Sequence, residues 1–394
     1  MERNRMELLP GVFLTLVRRR EDESACFRAA LLRQLSREEA ALNALLPEAL
    51  LYGTQRHPDG ALDAALEGFH AGVQPLVRKL GEVQAVGFSA VFDHDPAQFA
   101  ALLQCLAGIL LAPDTRFGQL KKEAVERALQ RWDAFDEAAD DPFAALTEHM
   151  CCFEDYAVPA LGERPEAGPN YYQKLSKHYR AVLSQSPVEL YYAGAMPPKL
   201  ARQTIADCFA VMPRGELDFD LGTDIRMNAV EAEPRVLDQS GAQGTNRISV
   251  GWRLGEVMEE PDPPVLEALA GAYRALTAAQ ETTVRLDVHK GILLAQCETD
   301  PDRAEETISA LKDAMAQLAA GVAAETLDLG RKDRVQALRD LEHDPAALEA
   351  FWLEQDLLGL ELAPDEYAAF IAETTPAAVA EAANGTECDA ILLE

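Results

Sequence analysis

The chain has 394 residues, 48% of them apolar and 26% charged, an ordinary globular balance for a protein of two or three domains. Asp and Glu number 66 against 36 Lys and Arg, so the net charge is −30. A surface of that sign excludes nucleic acid as the main partner, because phosphate binding needs basic groups, and it attracts basic peptides.

In chain order, Phe13 to Val17 reads as a short strand, closed by Arg18, Arg19 and Arg20. Arg37 to Tyr52 reads as a helix interrupted by Pro47, and Gly53 to Gly60 is a loop by composition. Leu62, Leu66 and Phe69 recur at helical spacing, and Val83 to Phe92 is a buried strand. Asp95-Pro96 opens a helix with Phe99, Leu102, Leu103, Leu106 and Leu110 on its inner face. Helices follow over 121–135, from Asp141-Pro142 onward, and over 171–183. Val188 to Ala193 is a strand and Pro198 to Met212 a helix.

The second half repeats this order. Ile248 to Trp252 matches the opening strand, Ile292 to Cys297 matches Val86 to Phe92, and Ala390 to Leu393 matches the strand near Tyr191. Asp300-Pro301 repeats Asp95-Pro96 at an offset of 205, and Asp344-Pro345 repeats Asp141-Pro142 at 203. The helix after Asp300 carries Ile308, Leu311, Met315 and Leu318 on one face. Two near-constant offsets imply tandem homologous domains, 1–216 and 217–394, joined by a connector near Glu216 to Asn246. Val17 to Asp95 spans 78 residues and Trp252 to Asp300 only 48, so the second copy is expected to be shortened between its first two strands.

Recognised catalytic motifs are absent. The histidines are His57, His70, His94, His149, His178, His289 and His343, with no two within 12 residues, which excludes a helical zinc pair one turn apart. The chain has neither a P-loop nor a nucleophile elbow. Seven cysteines at irregular spacing, including Cys151-Cys152, fit reduced thiols in the cytoplasm. Met1 to Glu7 is polar, so no secretory leader is expected, and no apolar run is long enough to span a membrane. The acid pairs Glu38-Glu39, Asp140-Asp141 and Glu259-Glu260 read as solvated surface. Gly244-Thr245-Asn246-Arg247 reads as a turn leading into a strand, with anion binding as the other reading. The pairs Tyr171-Tyr172 and Tyr191-Tyr192 read as core.

Several segments resemble the insulinase (pitrilysin-like) metallopeptidase family, in its bacterial processing-peptidase-like branch. They are Leu9-Pro10-Gly11-Val12, Ala44 to Thr54 with Pro58-Asp59, and Gly81 to Gln84 with Gly87-Phe88-Ser89. In the second half they are Gln243-Gly244 before Ile248 to Gly251, and Arg285-Leu286-Asp287 with His289-Lys290-Gly291. The resemblance implies an α+β fold: two tandem homologous domains, each a mostly antiparallel sheet covered by helices, with two such halves or subunits facing each other around a peptide chamber. Active members carry H-x-x-E-H before the Gly-Thr turn, the His residues holding zinc and the Glu activating water. Aligned on Gly53-Thr54, those positions are Ala44, Pro47 and Glu48. The family's third zinc ligand, a Glu on a later helix, falls near Arg131 to Asp133, where no Glu stands. Tyr273-Arg274 is a remnant of the Arg and Tyr with which the family positions substrate, and no Tyr stands near Gln280.

The expectation is therefore a non-catalytic homologue, without a cofactor, that forms half of a peptide-binding clamshell with a catalytic homologous subunit or as a homodimer. Two other readings stand beside it. One is an active zinc peptidase with a rearranged ligand set built on Glu48, Glu123 or Glu126 with a distant His. The other is a peptide-binding or assembly scaffold without a protease partner.

Overall fold

The computed structural model describes residues 3–21, 23–138, 141–166, 168–226, 229–241, 244–254 and 262–394. Gln243, Asp140, Glu259 and Glu260, and the side chain of Asp133, lie outside the described residues. Among the described residues no helix is long and apolar enough to cross a membrane.

The chain opens with strands β1 (Arg3–Leu9), β2 (Val12–Arg18) and β3 (Ala25–Gln34), then helices α1 (Ala40–Leu50) and α2 (Ala61–Gly68). A hairpin of β4 (Ala71–Leu80) and β5 (Val83–Phe92) leads to α3 (Phe99–Leu111). A small hairpin, β6 (Thr115–Arg116) and β7 (Gln119–Leu120), precedes α4 (Lys122–Ala138), α5 (Ala144–Met150) and α6 (Tyr171–Gln185). Then come β8 (Val188–Gly194), α7 (Pro198–Phe209), β9 (Arg235–Asp238), β10 (Arg247–Arg253) and α8 (Pro263–Leu276). β11 (Thr283–Asp287) and β12 (Ile292–Glu298) are followed by five helices: α9 (Ala304–Ala320), α10 (Ala324–Asp340), α11 (Pro345–Leu358), α12 (Pro364–Glu373) and α13 (Pro376–Asn384). β13 (Glu387–Leu393) ends the described elements.

The strands form two main sheets of the same design. The first has the order β1-β2-β8-β3-β5-β4 and the second β11-β12-β10-β13-β9. Pairing is antiparallel except for β2 with β8 and β9 with β13. The architecture is α+β, with mostly antiparallel sheets covered by helices, as the resemblance implies.

The topology corrects the matching of the two halves. β10 lies between β12 and β13 as β3 lies between β5 and β8, so Ile248 to Trp252 corresponds to β3 and not to Phe13 to Val17. The counterpart of β2 is β9, which falls inside the expected connector and pairs in parallel with β13. The shortening also shrinks and moves. Residues 35–82, 48 in all, separate β3 from β5, while residues 254–291, 38 in all, separate β10 from β12. The difference is about one short helix, and no described helix stands where α2 does in the first copy.

The chain divides into two compact units that are not continuous in sequence. The first comprises Met1–Asp140, Val158–Gly222 and Glu342–Gly359; the second comprises Asp141–Ala157, Thr223–Leu341 and Leu360–Glu394. A single cut between 216 and 217 therefore misses an exchange. The segment opened by Asp141-Pro142 packs in the second unit, and its repeat, opened by Asp344-Pro345, packs in the first.

Each exchanged segment carries a buried acid to a buried arginine. In the first unit Arg28, fully buried on β3, meets Glu349 of α11, Nη1 to Oε1 at 2.7 Å, and also donates to its backbone carbonyl. Arg78 reaches the other oxygen at 2.8 Å. In the second unit Arg253, fully buried at the end of β10, donates to Glu154 at 2.6 Å and to Asp389 at 2.9 Å. Lys290 takes the other oxygen of Glu154 at 2.6 Å, and Arg235 meets Asp389 at 3.0 Å. Groups so placed need partners on every side, because an unpaired buried charge costs several kcal/mol.

Local signals place the helices. Asp344 caps α11 by accepting from the backbone N–H groups of Ala346 and Ala347, with Pro345 at the first helical position. At Asp95-Pro96 the side chain instead closes a turn by accepting from Ala97, and the α-helix begins at Phe99. All five residues of the expected inner stripe of α3 are buried.

Candidate functional site

α1 follows the central strand of the first sheet and is buried along almost its whole length. It crosses α4, which presents Ala124, Val125, Ala128 and Trp132 to the core and Arg127 and Arg131, one turn apart, beside them. Ala44 and Pro47 are buried, and Pro47 sits inside α1, where it has no N–H to give the Asn43 carbonyl.

Glu48 is the one polar group of the three candidate positions. Its side chain is 3% exposed and is bracketed by two guanidinium groups of α4, Arg131 at 2.7 Å and Arg127 at 3.3 Å from Oε1. These contacts are ionic; no hydrogen bond of good alignment reaches either carboxylate oxygen. Burial raises the carboxyl pKa above its ordinary value, against the opposing pull of Arg131 and Arg127. The α4 segment from which the family's third ligand would come thus supplies Arg131, a cation, to Glu48.

This donor set does not fit zinc. Ala44 has no ligand atom, Pro47 has no base, and Glu48 already faces two positive charges. Structural and catalytic zinc sites take three or four N, S or O ligands at about 2.0–2.3 Å. Among the described residues no group of three or more His, Cys, Asp or Glu is placed to hold a metal. Of the carboxylates in the rearranged set, Glu126 is exposed and pairs with Lys122 at 3.1 Å, and Glu123 is exposed in the first turn of α4.

One buried network was not anticipated from sequence. Asn43, one residue before Ala44, donates to Gln84 at 2.9 Å and shares a 2.6 Å hydrogen bond with His178 Nε2. Gln84 in turn donates to the carbonyls of Ala40 and Ala160. Burial lowers the His178 pKa to about 4, so the ring is neutral near pH 7. Asn43 and Gln84 were legible only as polar residues within apolar runs.

The second pair of candidates lies in the second unit. Tyr273 is fully buried in α8, packs edge-on against Trp252 at 6.4 Å, and donates its hydroxyl to the Leu311 carbonyl at 3.0 Å. Arg274 is exposed and reaches the Val284 carbonyl at 3.3 Å. The Tyr273 hydroxyl is thus engaged within the core. The Gly244-to-Arg247 segment is a turn into β10: Asn246 and Arg247 both donate from the backbone to the Glu394 carbonyl. Tyr191 and Tyr192 are buried, whereas Tyr171 and Tyr172 are partly exposed.

No known protein-family profile matches the chain. Over 391 residues it is 21% identical to the "Probable inactive metalloprotease YmfF" of Bacillus subtilis (strain 168), covering 91% of this chain and 90% of that protein. A crystal structure of the peptidase M16 inactive domain from Pseudomonas fluorescens superposes with a TM-score of 0.75 at 14% identity, over 100% of this chain and 97% of that one. A conserved protein from Enterococcus faecalis V583 gives 0.80 at 17%, over 99% and 98%. The chain has the M16, or insulinase-type, peptidase fold. The resemblance first drawn from short motifs therefore holds over the whole chain, and with it the likeness to non-catalytic members. The resemblance would place the zinc motif of active members on α1 and α4, and here their crossing holds a carboxylate between arginines.

Proposed function

We propose that the chain is a catalytically silent insulinase-type homologue. It forms one half of a peptide-binding clamshell whose other half is a catalytic homologous subunit. The observation that carries this reading is the Glu48–Arg131–Arg127 cluster. At the crossing where active members hold a metal with histidines and a glutamate, this chain neutralises its remaining carboxylate internally with guanidinium groups. A site closed in that way has no open coordination position for a water nucleophile. The net charge of −30 favours basic or unfolded peptides as the bound class. The seven free cysteines support a reducing, cytoplasmic setting.

The experiment is a pull-down of the tagged chain from its native cells, with mass spectrometry of the bound proteins, followed by peptidase assays with and without the recovered partner. The proposal expects a partner carrying H-x-x-E-H, and peptide cleavage that requires that partner's motif. Cleavage by the purified chain alone would overturn the silent assignment. Recovery without any such homologue would favour a scaffold.

A further inference from the structure

We infer that Glu189 and Asp356 form a carboxyl pair that shares one proton and works as a latch. With the proton in place the pair holds α11 and β1 on the first sheet, and its loss to solvent loosens both. The latch is independent of the peptide-binding reading above.

Glu189 lies on β8 and Asp356 in the last turn of α11, both within the first unit. Their side chains are 5% and 1% exposed. One guanidinium, Arg5 of β1, meets both: Nη2 is 2.6 Å from Glu189 Oε1 and Nε is 3.4 Å from Asp356 Oδ1. Arg3, on the same strand, pairs with the same Asp356 oxygen and lies over the Trp352 ring of α11. The second oxygen of each carboxyl, Glu189 Oε2 and Asp356 Oδ2, is buried and accepts no hydrogen bond of good alignment.

The other groups facing the pair are Arg28 of β3 and the Thr15 hydroxyl of β2. Arg28 is itself held by Glu349 of α11, whose other oxygen takes Arg78 of β4. Three carboxyls and a single guanidinium are therefore enclosed here: Glu189, Asp356, Glu349 and Arg28. Arg3, Arg5 and Arg78 reach in from the rim, where water weakens their hold.

Two ionised carboxylates sharing one guanidinium in such a layer repel each other, and each keeps an unmatched oxygen. A single proton relieves both costs, because it cancels one of the like charges and gives the pair a donor. Burial and then the Asp356 charge raise the Glu189 carboxyl to about 7, against the pull of Arg5 and Arg28. Burial also raises Asp356, against Arg3, Arg28 and Arg5. A carboxyl raised on folding contributes stability that is complete below its usual 4.5 and is lost as pH rises through about 7. That loss falls on the elements the pair joins, β8, β1 and α11.

The pair is tested by NMR of the full chain labelled with 13C at glutamate carboxyls, with the Glu189 signal assigned through bonds. Its midpoint is expected near 7, and Asp356→Asn should move it down toward the ordinary carboxylate range. The latch is tested by hydrogen exchange of the α11 amides, read as protection factors. Between about pH 6 and 8 the protection in the parent should fall about tenfold relative to Glu189→Gln, the linkage of a carboxyl moved from 4.5 to about 7. Asp356→Asn should flatten the same dependence, and it carries this arm if Glu189→Gln does not fold.

A Glu189 midpoint in the ordinary range, or one that Asp356→Asn leaves unmoved, would overturn the proton-sharing pair. A midpoint near 7 with α11 protection that follows the same pH course in the parent and both variants would overturn the latch.

Discussion

The α1–α4 crossing of the first unit and the α8–α10 crossing of the second stand at corresponding places in the element order of their sheets and are built in two ways. Each first helix follows the central strand of its sheet, and each second helix follows the helix after the hairpin. In the second unit the helices meet at Gly271 and Gly330, and a Cβ on either glycine would run into the other's backbone. The crossing is flanked by Glu267, which pairs with Arg334 at 2.8 Å and accepts from the Tyr367 hydroxyl at 3.1 Å. In the first unit no glycine brings the helices together; Ala44, Pro47 and Glu48 stand on α1, and Arg127 and Arg131 answer from α4. Both crossings use a glutamate on the first helix and an arginine on the second. Only the second brings two glycine backbones together at the crossing.

The largest effects should fall where the two units agree. Arg28→Met in the first unit and Arg253→Met in the second each strand a buried acid, with an expected loss of about 3 kcal/mol in urea unfolding. Arg78 or Lys290 holds the value at the lower end of the range for broken buried pairs. A loss in only one unit would break the parallel between them.

Next comes the difference between the crossings. Gly271→Ala should cost about 2 kcal/mol, because the helices must part to admit the methyl group. The converse change in the first unit, Ala44→Gly, should cost only about 1 kcal/mol, the helix penalty of glycine. Equal costs would mean that the crossings are not packed differently. Glu48→Gln should change stability by less than about 1 kcal/mol, since the carboxyl is already raised by burial and Arg131 is half exposed.

A further effect is the pH dependence that His178 contributes in the first unit. His178 titrates near 4 when folded, below its ordinary 6.5, because burial disfavours its charged form. Its contribution to stability is complete above about pH 6.5 and is lost as pH falls toward about 4. The slope of unfolding free energy against pH over that window should therefore be shallower in His178→Gln than in the parent chain. Identical slopes would contradict the buried neutral assignment.

Much of this was readable in the sequence, and the failures have physical causes. The apolar run Val83 to Phe92 gave β5 to the residue, and the stripe from Phe99 to Leu110 gave α3, because both bury their apolar positions with the expected periodicity. β3 was invisible. Its sequence, with three alanines, two leucines and two arginines, favours a helix, and only pairing on both edges with β5 and β8 makes it a strand. Missing β3 shifted the match of β10 to the wrong strand and inflated the apparent deletion. The exchange of segments was hidden for a different reason: which sheet a helix packs on is a matter of tertiary contact, and Asp-Pro starts carry no such information. At the site, the sequence showed Ala44 and Glu48 at the ligand positions and Pro47 at the base position, but not the arginines that meet Glu48, because Arg127 and Arg131 stand about 80 residues further on.

On the proposed reading, Arg127 and Arg131 stand at the α1–α4 crossing where active members would hold a metal. Elemental analysis of the purified chain after exposure to equimolar zinc, with a fluorogenic peptide assay on the same sample, tests it most directly. The account predicts bound zinc far below one ion per chain and no cleavage. One zinc per chain, lost together with peptidase activity on chelation, would contradict it.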